Sequence, residues 1–242
     1  MGTMRSRSGE IVEMFGRRHL DFCCLQETRW KGEGTKTLGS SKFFWMGCDE
    51  GIAGVGFLVA ERWVEKVLEV KRISERVMVL RVIVGKSVLN LVSVYASQIG
   101  RVMKEKEEFF ICRGDVLSSI NAWERLIVCG DMNGHVGTTT DGFEGIHGEY
   151  GFGSRNVEGE MLLEFADAMD LAISNTWFKK DDGKLVTYES GGCKSVVDYI
   201  LVRKNERSMM RNVTVLQGES SLQQHKPLVC MMELKKYVKN MR

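Results

Sequence analysis

The 242-residue chain has 43% apolar and 27% charged residues, with 34 basic against 32 acidic side chains. This composition is typical of a soluble globular protein and excludes disordered and collagen-like chains. No segment approaches the roughly 18 uninterrupted apolar residues of a membrane span, and no signal-peptide pattern opens the chain, so we expect an intracellular protein, nuclear or cytoplasmic. The single proline, Pro227, argues against a proline-rich linker between domains. We therefore expect one domain over residues 1–242, and a monomer without membrane contact.

The apolar pattern predicts short strands separated by a few helices. In chain order it predicts a helix over 8–18, strands over 20–25, 43–46, 54–60, 77–84 and 88–95, a charged helix over 102–122, a strand over 125–129, a glycine-rich loop over 130–159, a helix over 159–169, and strands over 171–174, 185–189, 196–202, 211–216 and 228–234. Gly85 and Lys86 fit a hairpin turn. About ten strands in hairpin-like succession indicate a four-layer α/β sandwich of two packed, mainly antiparallel sheets flanked by helices.

The seven cysteines form an odd set without a C-x-x-C pair. Four of them, Cys23, Cys24, Cys129 and Cys230, lie in apolar runs, where cysteine usually serves as a small buried hydrophobic residue. The pattern therefore disfavours a disulfide framework and a zinc site.

The carboxy-terminal residues 203–242 carry nine basic and three acidic side chains, a net charge of +6 against −4 for the rest. This local excess suits either a nucleic-acid contact or a solvated strand and tail, and charge alone favours the second.

Polar side chains follow two of the predicted strands. Asp131 and Asn133 come directly after the apolar run 126–129, and residues two apart on a strand point to the same side. A carboxylate beside an amide suits the activation of water next to a phosphoryl group, although the same residues also form an Asx turn. Glu27 stands similarly after the strand 20–25, where a hard cation can be held by a carboxylate, but a lone glutamate there is usually only surface.

Asp198 lies within the apolar strand 196–202, on the face that the period of two assigns to Val196 and Ile200. A carboxylate on an apolar face needs a partner, because burying it unpaired costs several kcal/mol. His225, which opens the last apolar strand, is the obvious candidate, and an Asp–His contact would raise the imidazole's pKa. A structural aspartate and a merely polar strand end remain the alternatives.

The order of these residues resembles the endonuclease/exonuclease/phosphatase superfamily, which has the deoxyribonuclease I-like fold. The resemblance covers essentially the whole chain. Within the superfamily, the segments LQETRW, AGVGFLVAE, LNLVSVYA, CGDMNGHVG, GFGSRNVEGEMLLEFA, NTWF, TYESGG and VDYILVRK are similar to the endonucleases of non-LTR retrotransposons and to craniofacial development protein 2-like proteins.

The resemblance implies a Mg²⁺-dependent enzyme, with Mn²⁺ as an alternative ion, that acts on DNA. It implies that Glu27 binds the metal, that Tyr95 hydrogen-bonds the scissile phosphate, and that Asp131 aligns and deprotonates the attacking water. Asn133 would hold a phosphate oxygen.

The resemblance also assigns roles to residues farther along the chain. Asp198 would assist the metal region or the water, and His225 would stabilise the pentacovalent phosphate. Arg155 and Asn156 match the family's substrate-side element. Tyr188 lies in a plausible groove loop, although it could equally belong to the core.

Three positions depart from the family's pattern. The metal-region asparagine that the family carries in its first strand, before the segment matching residues 2–5, does not occur in this sequence, so we expect a truncated first strand that leaves a neighbouring strand unpaired. Gln224 stands where the family has an aspartate that supports the histidine, although its amide could still orient the ring. Ser97 replaces the usual proline after Tyr95, and Pro227 removes a ladder donor beside His225.

Three functions follow from this comparison. The first is a metal-dependent phosphodiesterase that nicks DNA by in-line attack of water, either as a stand-alone or as a truncated copy of a retrotransposon endonuclease. The second is a catalytically impaired member of the same fold that binds nucleic acid or protein. The third is a phosphatase for lipid or inositol phosphates, which the retrotransposon-like segments disfavour.

Overall fold

The computed structural model describes residues 4–96, 114–219 and 224–234. Its helices are α1 (Met4–Arg17), α2 (Glu61–Val64) and α3 (Val157–Ala168), and residues 114–118 are also helical. Its strands are β1 (Phe22–Leu25), β2 (Glu33–Leu38), β3 (Ser41–Met46), β4 (Val55–Ala60), β5 (Val67–Ser74), β6 (Val77–Val84), β7 (Ser87–Tyr95), β8 (Arg125–Asp131), β9 (Leu171–Ile173), β10 (Tyr188–Ser190), β11 (Cys193–Ser195), β12 (Asp198–Arg203), β13 (Met210–Val215) and β14 (Leu228–Met232). No helix in these ranges is both long and apolar enough to cross a membrane.

The predicted elements that have a strong apolar pattern are present in the structure. Elements of the structure that lack such a pattern were not predicted. The hairpin of β6 and β7 turns at Gly85 and Lys86 as predicted. The missed β2 and β5 are edge strands with exposed polar or charged residues, so neither shows a buried apolar face. The strand predicted over 185–189 begins only at Tyr188. Most of the predicted helix 102–122 lies outside the described residues.

The strands form two main sheets. One has the order β1-β4-β3-β2, and the other has the order β5-β6-β7-β8-β12-β9. Their neighbours are antiparallel except for β7 and β8, which run parallel. The prediction of mainly antiparallel sheets is confirmed. β10–β11 and β13–β14 form two further antiparallel pairs.

Three apolar clusters hold these elements in layers. Between the two main sheets lies a core to which β4 contributes Val55 and Phe57, and β6 contributes Leu80. α1 packs on the outer face of the four-stranded sheet through Ile11 and Phe15. Residues of α3 cover the outer face of the six-stranded sheet in a third cluster. The four-layer α/β sandwich predicted from the sequence is confirmed.

Strand β1 departs from the burial expected of it. The apolar run predicted a strand buried on both faces, whereas all four residues of β1 are only half-buried. β1 pairs with β4 along one edge, and no described strand pairs with its other edge. Because a strand is buried only as far as its neighbours cover it, the open edge keeps β1 partly accessible.

Candidate active site

Three neighbouring strands place a tyrosine and two aspartates side by side at one edge of the six-stranded sheet. β7 and β8 run parallel, which pairs Tyr95 with Asp131, and β12 runs antiparallel to β8, which pairs Asp198 with Asp131. Asp198 opens β12, and the following Ile200 faces the core between the sheets, as the period of two predicted. Val196 lies in the cluster on the opposite side, because it precedes the strand.

Asp131 is the most enclosed of these groups, with only 4% of the residue exposed. Burial, together with the negative charge of Asp198, holds the pKa of Asp131 well above its usual range, and the positive charge of His225 opposes this effect. The Asx turn is also present, because the backbone N–H of Asn133 donates to Asp131 Oδ1 at 3.0 Å. The side-chain amide of Asn133 donates to the carbonyl of Ala96 at 3.0 Å.

His225 contacts Asp198, as the sequence suggested. Its Nδ1 lies 3.1 Å from Asp198 Oδ2, and its Nε2 lies 3.9 Å from Asp131 Oδ2. Burial alone would lower the pKa of His225, but the hydrogen bond with Asp198 and the charges of Asp198, Asp131 and Glu27 outweigh it and raise the pKa to about 9. The imidazole is therefore cationic at neutral pH, and Nδ1–H donates to Asp198.

Two neighbours of His225 take different positions. Tyr188 pairs with His225 in an isolated β-bridge and packs edge-on against its ring, with centroids 4.8 Å apart. Tyr188 therefore lies beside the candidate site and not in the core. Gln224 donates instead to Ser190 Oγ at 3.1 Å. The expectation that the Gln224 amide could orient the imidazole is wrong, because the neighbouring carboxylate of Asp198 performs that role.

Glu27 enters the site from the loop after β1. Its Oε1 accepts a 2.6 Å hydrogen bond from the hydroxyl of Tyr95, and its Oε2 lies 3.3 Å from the guanidinium of Arg29. Burial and the hydrogen bond to Glu27 raise the pKa of Tyr95, so the phenol keeps its proton and remains a donor. Glu27, Arg29 and Asn133 have φ near +50°, a conformation that costs non-glycine residues energy and tends to cluster at functional sites.

The backbone around Asp198 is held by two buried residues to which we assigned no role from the sequence. Thr187 Oγ1 accepts hydrogen bonds from the N–H groups of Val197 and Asp198. Asn175 donates to the carbonyl of Asp198 at 2.9 Å and accepts from the N–H of Ile200. The sequence contained only a weak indication of this role, because each is a single polar residue near an apolar strand. Their hydrogen bonds fix the backbone from which the Asp198 carboxylate extends.

Arg155 and Asn156 have contacts within the loop that precedes α3. Arg155 donates to the carbonyls of Val136, Thr139 and Thr140, and pairs with Glu160. Asn156 caps α3 by accepting from the N–H of Gly159, and it also accepts from the N–H of His135. Both residues organise the loop 135–141, and neither belongs to the cluster around Asp131. Their assignment to substrate binding stays a prediction.

The site contains a group of side chains that could hold a metal ion. Ligand atoms of Asp131, Asp198 and His225 lie within 4.8 Å of one another. Glu27 is outside this group, although its charge acts on both Asp131 and His225. Carboxylate oxygens are the donors that Mg²⁺ and Mn²⁺ prefer, so the carboxylates of Asp131 and Asp198 fit a hard divalent cation.

Several solved structures have a fold similar to that of this chain. The endonuclease domain of TRAS1, a telomere-specific non-LTR retrotransposon, is 15% identical, with a TM-score of 0.66 over 95% of this chain and 93% of that domain. An AP endonuclease from Archaeoglobus fulgidus is 13% identical, with a TM-score of 0.72 over 96% of both chains. The chain has a deoxyribonuclease I-like fold. A 3′ phosphatase with this fold, NExo from Neisseria bound to a product DNA hairpin, is 15% identical, with a TM-score of 0.71 over 96% of both chains.

A curated protein is also similar to this chain in its amino-acid sequence. Craniofacial development protein 2 from Bos taurus is 26% identical over 229 residues, which cover 93% of this chain. The chain spans about two fifths of the length of that relative, 38%. No protein-family model matches the chain.

Proposed function

We propose that this chain is a metal-dependent phosphodiesterase that nicks DNA, derived from a retrotransposon endonuclease. The observation that carries the proposal is the row of Tyr95, Asp131 and Asp198 on adjacent strands, with His225 held against both aspartates. With His225 beside it, the row brings together one proton acceptor, Asp131, and two hydrogen-bond donors, Tyr95 and His225. DNA is proposed as the substrate because the AP endonuclease, the TRAS1 domain and NExo share the fold.

Asp131 is the proposed general base. Its pKa is raised by burial and by Asp198, and a base whose pKa lies near the working pH transfers protons most efficiently. The Asx turn with Asn133 engages Oδ1 and fixes the carboxylate's orientation. In this assignment, Asp131 takes the proton from a water molecule that attacks phosphorus in line with the departing 3′ oxygen.

His225 and Tyr95 are the proposed donors to the phosphate. His225 is cationic and is held by Asp198 through Nδ1, which leaves Nε2–H to donate to an oxygen of the phosphate as negative charge grows there. The protonated Tyr95 hydroxyl, which donates to Glu27 in this structure, is the second group that could donate to a phosphate oxygen. Asn133 would orient a further phosphate oxygen through its side chain.

Carboxylates are the proposed holders of the metal. A protonated imidazole is no metal ligand, so Glu27 together with Asp131 or Asp198 would hold Mg²⁺ or Mn²⁺. When bound, the ion would supply charge neutralisation for the phosphate and the leaving oxygen.

The test is nicking of supercoiled plasmid by the purified protein with Mg²⁺, with Mn²⁺ and with EDTA. We expect nicking with either metal, none with EDTA, and a loss of about 10²- to 10⁴-fold in Asp131→Asn, which removes the base at unchanged size. Asp170→Asn is the matched control, because Asp170 is exposed and lies outside the site. It precedes β9, and β9 pairs with the last residues of β12, whereas Asp198 is the first residue of β12. It should nick at the wild-type rate.

The same experiment separates the enzyme from a binding module of the same fold. If the wild type and Asp131→Asn are equally inert with every metal while both bind DNA, the proposed activity is refuted and the impaired module stands. Nicking that persists in EDTA would refute the metal assignment alone. Plasmids with and without abasic sites distinguish repair-like cleavage from cleavage of intact DNA.

A further inference from the structure

Two thiols from different sheets meet in the core between the main sheets. Cys24 of β1 and Cys129 of β8 both pack against the apolar cluster of that core, and their sulfur atoms lie 2.7 Å apart. The neighbouring Cys23 packs in the cluster beneath α1, because successive side chains of a strand point to opposite faces. The contact between Cys24 and Cys129 therefore bridges the two layers of strands.

The distance between the two sulfur atoms suits a covalent bond better than a shared metal ion. An S–S bond is about 2.05 Å long, so the sulfurs at 2.7 Å need to approach by only about 0.7 Å. A tetrahedral zinc ion with Zn–S bonds of about 2.3 Å would hold two sulfurs about 3.8 Å apart. The thiols would have to separate by about 1 Å to admit such an ion.

A groove of about 630 Å³ leads to the two thiols, and both Cys24 and Cys129 line it. Both residues are partly exposed, so a molecule as small as hydrogen peroxide reaches them. Burial raises the pKa of Cys23 and of Cys230, which line the same groove, to about 12, so these two thiols compete poorly for an oxidant. Burial and the neighbouring thiols also raise the pKa of Cys24, and we therefore expect oxidation to take minutes to hours.

We propose that Cys24 and Cys129 are a redox-active pair, which hydroperoxides oxidise to a disulfide that joins β1 to β8. With hydrogen peroxide, the first thiol takes one oxygen atom to give a sulfenic acid, and one water is released. The second thiol then attacks that sulfur, so the S–S bond forms, the S–OH bond breaks and a second water leaves. The two sulfurs together lose two electrons, which reduce the O–O bond of the peroxide. A small dithiol reverses the reaction by thiol–disulfide exchange.

The bond would act on the strand that is held least by pairing. Among the described strands β1 pairs with β4 alone, so a bond to β8 would fix its inner side to the six-stranded sheet. Cys24 and Cys129 lie 105 residues apart in the chain, and closing a loop of this length removes much of the freedom of the unfolded chain. Oxidation should therefore stabilise the fold. This proposal does not rest on the proposed nuclease activity, because it concerns the thiols and the strands that carry them.

The test treats the full-length reduced protein with hydrogen peroxide, blocks the remaining thiols, and maps disulfides by mass spectrometry of unreduced tryptic peptides. We expect one main product that links peptide 19–29, which contains Cys23 and Cys24, to peptide 126–155, which contains Cys129. Cys23→Ser is the matched control and should keep this product, whereas Cys24→Ser should lower its yield at least tenfold. The thermal unfolding midpoint of the oxidised wild type should rise by about 5 °C or more, and dithiothreitol should reverse the rise.

Four results would overturn the proposal. Free Cys24 and Cys129 in the wild type, after the exposed Cys193 has been oxidised, would show that the pair is not redox-active, and this result requires no variant to fold. A product that survives Cys24→Ser but is lost in Cys23→Ser would assign the bond to the thiol beneath α1. Linked peptides that occur only in covalent dimers would mean that the bond joins two chains. An unchanged thermal midpoint in the oxidised wild type would contradict a bond that fixes β1 to β8.

Discussion

The contact between His225 and Asp198 makes the sharpest prediction about the candidate site. His225 is cationic because Asp198 lies 3.1 Å from Nδ1, and the pKa rises from 6.5 to about 9. At 1.36 kcal/mol per pH unit, this increase corresponds to about 3.4 kcal/mol. The side chain is 40% exposed, so solvent screening reduces the expected contribution to about 1–2 kcal/mol.

The sign of the pH dependence follows from the direction of the change. The folded pKa lies above the unfolded one, so the stabilisation is complete below pH 6.5 and is lost as the pH rises through about 9. We expect the free energy of unfolding of the wild type to fall by about 1–2 kcal/mol more than that of Asp198→Asn between pH 7 and 9.5. Taking the difference between the two proteins removes the cysteine titration, which both share.

The assay is a ¹H–¹³C NMR titration of His225 in metal-free buffer, with urea unfolding at each pH. The imidazole should titrate near pH 9 in the wild type and at least one pH unit lower in Asp198→Asn, where the charges of Asp131 and Glu27 remain. Asp170→Asn should reproduce the wild type. A wild-type midpoint at or below 6.5, or an equal midpoint in Asp198→Asn, would refute the argument that Asp198 keeps His225 cationic.

Three further predictions concern buried residues. Tyr95→Phe removes the 2.6 Å hydrogen bond to the Glu27 carboxylate and should lower the free energy of unfolding in urea by about 1.5–3 kcal/mol; an unchanged value would show that the bond contributes nothing. Burial lowers the pKa of His147, so the stability that the neutral imidazole contributes is complete above about pH 6.5 and is lost as the pH falls below that value. In His147→Gln, the decrease in the free energy of unfolding with falling pH should be smaller by up to about 1.4 kcal/mol per pH unit. An unchanged decrease would contradict this argument. Gly130→Ala should destabilise by more than about 3 kcal/mol, because the new Cβ would lie 1.8 Å from the carbonyl oxygen of Val94; thermal unfolding at the wild-type temperature would refute this packing.

Buried strands could be predicted from the sequence because their apolar pattern is local. β6, β7 and β8 show it clearly, and so does the stripe of α3. β2 and β5 could not be predicted from an apolar pattern. An edge strand pairs along one edge only and tolerates charged residues such as Glu33 and Lys71. Their existence depends on pairing with β3 and β6, which is a tertiary fact.

The candidate site was predictable as a set of residues but not as an arrangement. An aspartate on the apolar face of β12 needed a partner, and this alone pointed to His225. The row of Tyr95, Asp131 and Asp198 depends on the strand register, which no local pattern specifies. The partners of Gln224 and Arg155 also depend on the surrounding fold.

The sequence by itself determined the composition of the chain, its strong apolar strands, and the order of the polar residues that resembles the superfamily. The single proline illustrates the division. From the sequence, Pro227 spoke against a linker and suggested a lost donor beside His225. In the structure it precedes β14, and its carbonyl bonds to the N–H of Leu216. Only the tertiary structure decided that Asp131 pairs with both Tyr95 and Asp198, because this pairing follows from strands that lie far apart in the chain.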